Sequence, residues 1–455
     1  MLPDLVLLNI FDFYVHDDEH WGDPLEAWYT LVHVCREWRN LVFGSPRRLE
    51  LRLLCTYCTP VKEGLDNWPP LPIVLGDDGE SDAIWDMDNL VAALEHNDRV
   101  QELSVSSWRS RFVLEKLQRP FPALTHLELQ YRNGNETKLV DPDSFLGGSA
   151  PSLRTLLLVS IPFPGLPKLL RSTTHLTHLS LRGISSSGYI SPEVMLTALS
   201  TLTSLESLCL EFQSPIHPDR TSRPPPLPTR IILPFLTDLS FRGVCEYLEC
   251  FLARLDAPLL DNLDVTFFLS IFDTLQLTQF ISRSPKLKAC DETRILFSDR
   301  IVSVTLSQTS DGSDRRLRVQ ISCERSPEDQ LSPLVQVCSS TFPQALISGV
   351  KHLSIFEAKF SGSGWQDSFE SGPWLEFLHP FTSVKSLYIS QEFAPRIAYS
   401  LQDLVGERVT EVLPALETLS LEAPPLRLVQ EAIGKFDTAR QLSKRPIVIT
   451  VSSRY

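Results

Sequence analysis

The 455-residue chain has no window of 18 consecutive apolar residues, and its N-terminus lacks the basic-then-apolar order of a secretory leader. A membrane-spanning helix is therefore not expected, and the chain reads as intracellular, cytoplasmic or nuclear. Positive charge is also short, since 42 Lys and Arg stand against 56 Asp and Glu, a formal charge of −14 at pH 7. Nucleic acid and anionic membrane surfaces, held mainly by Lys and Arg, are disfavoured as partners. The nine cysteines are an odd number, and Cys209, Cys245, Cys290, Cys323 and Cys338 lie scattered, which suits a reduced compartment. Cys55 and Cys58 form a C-x-x-C spacing, but the second pair or paired histidines that a zinc site needs are not near them in sequence.

Catalytic signatures are missing as well. There is no G-x-S-x-G elbow, no phosphate-cradling G-x-x-x-x-G-K, no H-E-x-x-H and no G-x-G-x-x-G after a strand. His126, His178 and His352 share one place in three repeats, yet no acid or thiol recurs with them, so they read as surface histidines rather than a metal ladder. No enzyme activity, metal or cofactor is expected. A hydrolase within 295 to 349 would be the enzymatic alternative.

What the chain does have is a repeat. In Phe121-Pro-Ala-Leu-Thr-His-Leu-Glu-Leu-Gln130, Leu124, Leu127 and Leu129 set a pattern that returns as Leu153/Leu156/Leu158, Leu176/Leu179/Leu181, Leu205/Leu208/Leu210, Leu236/Leu239/Phe241 and Leu260/Leu263/Val265. After a gap come Val350/Leu353/Ile355, Val384/Leu387/Ile389 and Leu416/Leu419/Leu421. Steps of 29, 23, 29, 31 and 24, then 34 and 32, lie in the upper range for leucine-rich repeats. The second and third members differ by two, so both point to one face of a short strand and leave the other face free. One strand with its helix cannot bury its apolar face alone, so units must stack. The expected fold is α/β: an N-terminal helical unit (1–44), then a leucine-rich-repeat-like βα solenoid (45–455) with a concave face lined by parallel strands.

Helical returns are expected at 87–94, 112–117, 166–170, 192–199, 246–255, 275–281, 331–338 and 397–405, with Ser191-Pro192-Glu193 as a well-formed helix start. Leu49, Leu51 and Leu53 read as a strand, 61–68 as one or two helical turns, and 71–75 as another strand. Residues 77 to 82 read as an acidic solvated loop. The proline-rich stretch 213–234 reads as a stiff insertion, with a polyproline ligand as the alternative. The stretch 298–323 reads as a β-hairpin around Ser310-Asp311-Gly312 that bulges from the array. A helix over 426–442 and a strand over 447–451 would cap the last unit.

Residues 1 to 43 follow no repeat. Leu7, Ile10, Phe11 and Tyr14, then Leu31, Val34, Cys35 and Trp38, fall at i, i+3, i+4 and i+7, which predicts two amphipathic helices. The first carries more apolar surface than about forty residues can cover. Leu2-Pro-Asp-Leu-Val-Leu-Leu-Asn-Ile-Phe11 followed by Leu31-Val-His-Val-Cys-Arg-Glu-Trp38 resembles an F-box. It departs from that pattern at Leu5, where an acid is usual, and in a longer loop from His16 to Leu25. The resemblance implies docking on a Skp-type adaptor, and through it a cullin, by Leu2, Pro3, Leu7, Ile10, Phe11, Val34, Cys35 and Trp38. SPRRLELRL (45–53), DSFLGGSAP (143–151), IPFPGLPKLL (161–170), SGYISPE (187–193), EFAPRIA (392–398) and LVGERVTEVLPAL (404–416) extend the resemblance to the expanded F-box proteins of mushroom-type fungi.

That resemblance implies a substrate-recognition subunit of an SCF-type ubiquitin ligase, with an unidentified protein target on the free face of the strands. Arg182, Arg242, Asp264, Phe356 and Tyr388 are the expected target-binding positions, since arginine and aromatic side chains carry much interface energy. A repeat scaffold acting outside ubiquitin ligation is the alternative.

Overall fold

The computed structural model describes residues 2–15, 24–55, 65, 68–76, 87–105, 109–131, 144–161, 165–216, 230–268, 273–288, 290–298, 300–308, 315–322, 330–358 and 371–451. The chain is mixed α/β and divides into two compact units, Met1–Gly188 and Tyr189–Tyr455.

The first unit opens with three helices, α1 (Asp4–Val15), α2 (Pro24–Val34) and α3 (Arg36–Gly44). The carbonyl of Pro3 accepts the N–H groups of Val6 and Leu7 at 2.9 and 3.1 Å, starting α1. The spacing from Leu31 to Trp38 predicted one helix, but Cys35 divides it. Its backbone is extended (φ −158°, ψ 168°) and its Sγ accepts the N–H of Trp38 at 3.4 Å. A side chain that caps its own next turn starts a new helix instead of extending the old one.

Six strands follow: β1 (Leu53–Cys55), β2 (Ile73–Leu75), β3 (Val100–Val105), β4 (His126–Gln130), β5 (Thr155–Val159) and β6 (His178–Ile184). They pair in chain order and all in parallel. Between them run α4 (Met87–Glu95), α5 (Arg109–Lys116) and α6 (Leu166–Leu170). Leu49 and Leu51 are buried as expected but precede the strand, because Glu50 takes a positive φ of 46° and breaks the extended run.

The second unit continues with α7 (Pro192–Leu199), β7 (Ser207–Phe212), β8 (Ile231–Ile232), β9 (Asp238–Gly243), α8 (Cys245–Leu252), β10 (Leu255–Asp256), β11 (Asn262–Phe268) and α9 (Leu275–Arg283). Then come β12 (Glu292–Phe297), β13 (Ile301–Ser307), β14 (Arg316–Ser322), α10 (Leu331–Gln336), α11 (Gln344–Ile347), β15 (His352–Glu357) and α12 (Ser371–Leu378). The unit closes with β16 (Ser386–Ile389), α13 (Ala394–Gln402), β17 (Thr418–Leu421), α14 (Arg427–Leu442) and β18 (Val448–Val451). Ser191 caps α7 as its sequence promised, its hydroxyl accepting the N–H of Val194 at 3.4 Å.

The nine apolar triples are buried throughout. They share one face of the strands because the registers align them, Leu127 with Leu156, Leu156 with Leu179, Leu239 with Leu263 and Leu387 with Leu419. A second ladder ties successive units together one residue after each triple begins. Thr125, Thr177 and Thr237 each donate both backbone N–H, at 2.8 Å, and hydroxyl, at 3.1 Å, to one carbonyl of the preceding unit, those of Gln101, Arg154 and Glu206.

The strand order in the second unit is β7-β9-β11-β14-β13-β12-β15-β16-β17-β18. The hairpin β13–β14 exists, but it does not bulge from the array. It is built into the sheet, with β14 parallel to β11, β13 antiparallel to both β14 and β12, and β12 parallel to β15. Val302, Val304, Leu306, Leu317, Val319 and Ile321 supply the reason. They alternate along the two strands and are all buried, so the hairpin must share the apolar face and fill the edges of β11 and β12.

The C-terminal strand was expected to seal the array, yet Val448, Ile449 and Val451 are exposed. Helix α12 was not anticipated. The stretch 77–82, Cys58, most of 61–68, the tip of the 298–323 hairpin and the prolines from 218 to 228 lie outside the described residues.

Candidate functional site

Two surfaces stand out, the helical unit and the free face of the strands. On α1 the residues divide by angle. Leu7, Leu8, Phe11 and Val15 are buried, and Phe11, fully covered, lays its ring 4.7 Å from that of Trp38 on α3. Leu5, Val6, Ile10 and Phe13 face outward and are exposed, Ile10 at 47 % and Phe13 at 74 %, as are Leu2 just before the helix and Val34 at the end of α2. Six large apolar side chains on one small unit exceed what scattered surface hydrophobics explain.

The eight residues implied as adaptor contacts therefore separate. Leu2, Pro3, Ile10, Val34 and Cys35 are exposed, whereas Leu7 and Phe11 pack the unit's interior and Trp38 is half-buried against Phe11. Leu5, Val6 and Phe13 belong to the outer face but were not singled out. Their places were legible, since 100° per residue puts them beside Leu2 and Ile10.

The unit is anchored rather than tethered. Trp28 on α2 is buried and its indole N–H donates to the Arg52 carbonyl at 3.0 Å. Tyr29, Phe43 and Trp68 gather around it, with centroids 4.1, 5.9 and 5.5 Å from its ring. Arg48 hydrogen-bonds the Asn9 side chain, and Arg39 donates to the Val32 carbonyl at 3.0 Å.

On the free face of the first unit, Arg182 is exposed on β6, in register with Val159 at the end of β5. In the second unit, Arg242 is exposed with its guanidinium 5.4 Å from the Phe268 ring centre. Asp264 is half-buried and pairs with Arg318 at 3.4 Å. Burial pushes its carboxyl above the ordinary value, against the pull of Arg318 and Arg316. Phe356 is half-buried, its ring 5.1 Å from that of Tyr388. Tyr388 itself is a correction: at 4 % exposure it is covered, not presented, because Phe356 packs against it. Arg294, Arg316, Arg318 and Leu296 also occupy this face and were missed. The alternation around Arg316 and Arg318 was visible but was read as a hairpin bulging from the array, whereas Arg294 and Leu296 flank Ile295 and Phe297, which suited a degenerate repeat strand.

Among the described residues no group of three or more His, Cys, Asp or Glu could hold a metal ion, and no helix is long and apolar enough to cross a membrane. Burial pushes the Cys55 thiol up to about 12, which disfavours the thiolate that redox or zinc chemistry needs.

Structurally the class is a mixed α/β protein with a large, mostly parallel sheet, carrying an exposed apolar helical face. No protein-family model matches the chain, and no curated protein matches it either.

Proposed function

We propose that the chain is a non-catalytic target receptor of an SCF-type ubiquitin ligase, its helical unit an F-box that docks on a Skp-type adaptor and its strands a leucine-rich-repeat-like solenoid that holds the target. The observation that carries this reading is the exposure of six large apolar side chains, Leu2, Leu5, Val6, Ile10, Phe13 and Val34, on a helical unit otherwise fixed in place. Covering a large aliphatic or aromatic side chain contributes about 1.5–3 kcal/mol, so such a face favours a protein partner strongly. The adaptor would bring the cullin, and ubiquitin would be transferred by enzymes outside this chain. The receptor's contribution is proximity, raising the effective concentration of target lysines near the conjugating enzyme.

The test is co-expression of the full chain with a fungal Skp-type adaptor. The wild type co-elutes with the adaptor, and Ile10→Asp with Val34→Asp abolishes co-elution while the circular dichroism spectrum is unchanged. A wild type that is folded but never co-elutes overturns the reading and leaves a repeat scaffold in its place.

A further inference from the structure

We propose, resting on the receptor reading, that the free face over β14, β13, β12 and β15 binds an extended protein segment carrying a carboxylate with an apolar side chain about two residues away. The registers define rows of neighbours across these strands. In one row Asp264, Arg318, Thr305, Arg294 and Ser354 are successive partners, and in the next stand Gln320, Ser303, Leu296 and Phe356. The first row is polar and cationic, the second apolar toward β15.

Charge supports the choice of an acidic partner. The free-face positions of β14, β13 and β12 hold Arg316, Arg318 and Arg294 against Glu292 alone, on a chain whose formal charge is −14. Arg318 is held upright by Asp264 and by the Thr305 hydroxyl, both at 3.4 Å. Arg294 keeps its side chain 56 % exposed while its Nε bonds Glu292 at 2.8 Å, and Arg316 is exposed. A guanidinium presents its donors as a planar fork that matches a carboxylate.

The apolar half is set by Leu296, 41 % exposed, beside Phe356 across β12–β15. Arg294 and Leu296 are two residues apart on one strand, roughly 7 Å, the distance between alternate side chains of an extended partner. Asp264 and Glu292 stand next to arginines and would repel a continuous row of phosphates, so the face suits spaced carboxylates better than a nucleic acid backbone.

The experiment is selection of a random twelve-residue phage-displayed peptide library on the immobilised full chain. Selected peptides are expected to carry Asp or Glu close to Leu, Ile, Phe or Trp, and the pool to lose at least tenfold in binding to Arg294→Glu with Arg316→Glu. Arg427→Glu, on a distant exposed helix, is expected to bind it as the wild type does. Neutral or basic selected peptides, a pool indifferent to the paired reversal, or tighter binding of a twelve-nucleotide single strand would overturn the proposal. Adaptor co-elution is scored on the same proteins. The paired reversal retains it, so loss of peptide binding alone concerns this face, whereas a wild type that never captures the adaptor concerns the receptor reading.

Discussion

The indole N–H of Trp28 donates to the carbonyl of Arg52 across 3.0 Å, tying α2 to the residue that leads into β1. Twenty-four residues of chain separate the two, so this bond joins the helical unit to the first strands by packing as well as by sequence.

Trp28→Phe removes that donor and leaves a half-buried carbonyl unpaired, while Trp28→Ala also opens a cavity among Tyr29, Phe43 and Trp68. The expected costs are about 1–3 and about 3–5 kcal/mol. Hydrogen exchange of the amides in α2 and β1 measures both, and it should quicken in that order. Unchanged protection in Trp28→Ala would show that the helices are held by something else.

Phe11 and Ile10 are neighbours with opposite exposure. Phe11→Ala empties a fully covered site and is expected to destabilise by about 3–5 kcal/mol. Ile10→Ala, on the outer face, is expected to stay within about 0.5 kcal/mol and to weaken adaptor capture instead. Urea midpoints and co-elution, measured on both variants, separate a packing residue from a docking one.

Glu249, reaching out of α8, accepts the N–H groups of Gln276 and Leu277 at 2.7 and 2.9 Å and so caps the start of α9. Burial nonetheless outweighs those bonds and raises its carboxyl above the ordinary 4.5, with Asp273 adding to the rise. A carboxyl raised on folding holds its proton more tightly in the folded state. Its stabilising contribution is complete below the ordinary value and is lost as pH rises through the raised one. Glu249→Gln cannot titrate, so the difference in urea midpoint, wild type minus variant, should fall from about pH 4 towards neutrality. A difference that grows with pH would contradict the assignment.

Arg440 is a buried cation whose Nε donates to the Arg445 carbonyl at 3.1 Å, with Nη1 and Nη2 donating to Leu413 and Leu416 at 3.4 and 2.8 Å. Burial lowers its pKa, with Arg445 adding to that. Arg440→Met leaves three carbonyls without this donor and is expected to cost about 3 kcal/mol. Arg440→Lys is not expected to rescue, since one ammonium nitrogen cannot occupy the three separate positions from which Nε, Nη1 and Nη2 reach their carbonyls. Thermal melting of the three proteins checks the order.

Much of the fold was legible because burial follows period. The triples from Leu124 to Leu421 marked the strands, the bounds expected for 166–170 and 192–199 match the helices, and the start of the second was signalled by a hydroxyl cap and a proline. The split at Cys35 was not, because a thiol that caps a turn leaves the apolar spacing of a continuous helix intact. The place of the hairpin was not legible either. Alternation in 301–307 and 316–322 fixes which side chains are covered, but the same alternation suits a strand pair inside the sheet or beside it. Helix α12 went unassigned: it holds Gly372 and Pro373, weak helix formers, and only Trp374, Phe377 and Leu378 supply its buried side. For the candidate site, sequence found the unit but could not divide Leu7 and Phe11 from Ile10, since the outer and inner faces of α1 are both apolar.

Strand β13, the one reversed strand among the described residues of this sheet, has a consequence for how such a chain can grow. A lone strand added by a hairpin turn would leave the next unit pointing the wrong way, with its helix on the wrong side of the layer. Two strands added together, one up and one down, restore the original polarity, and β15 resumes as if nothing had intervened. Hairpin-linked strands grafted into this face should therefore be accepted in pairs and rejected singly, whereas a strand that brings its own helical return can be added one at a time, as β3 to β6 are.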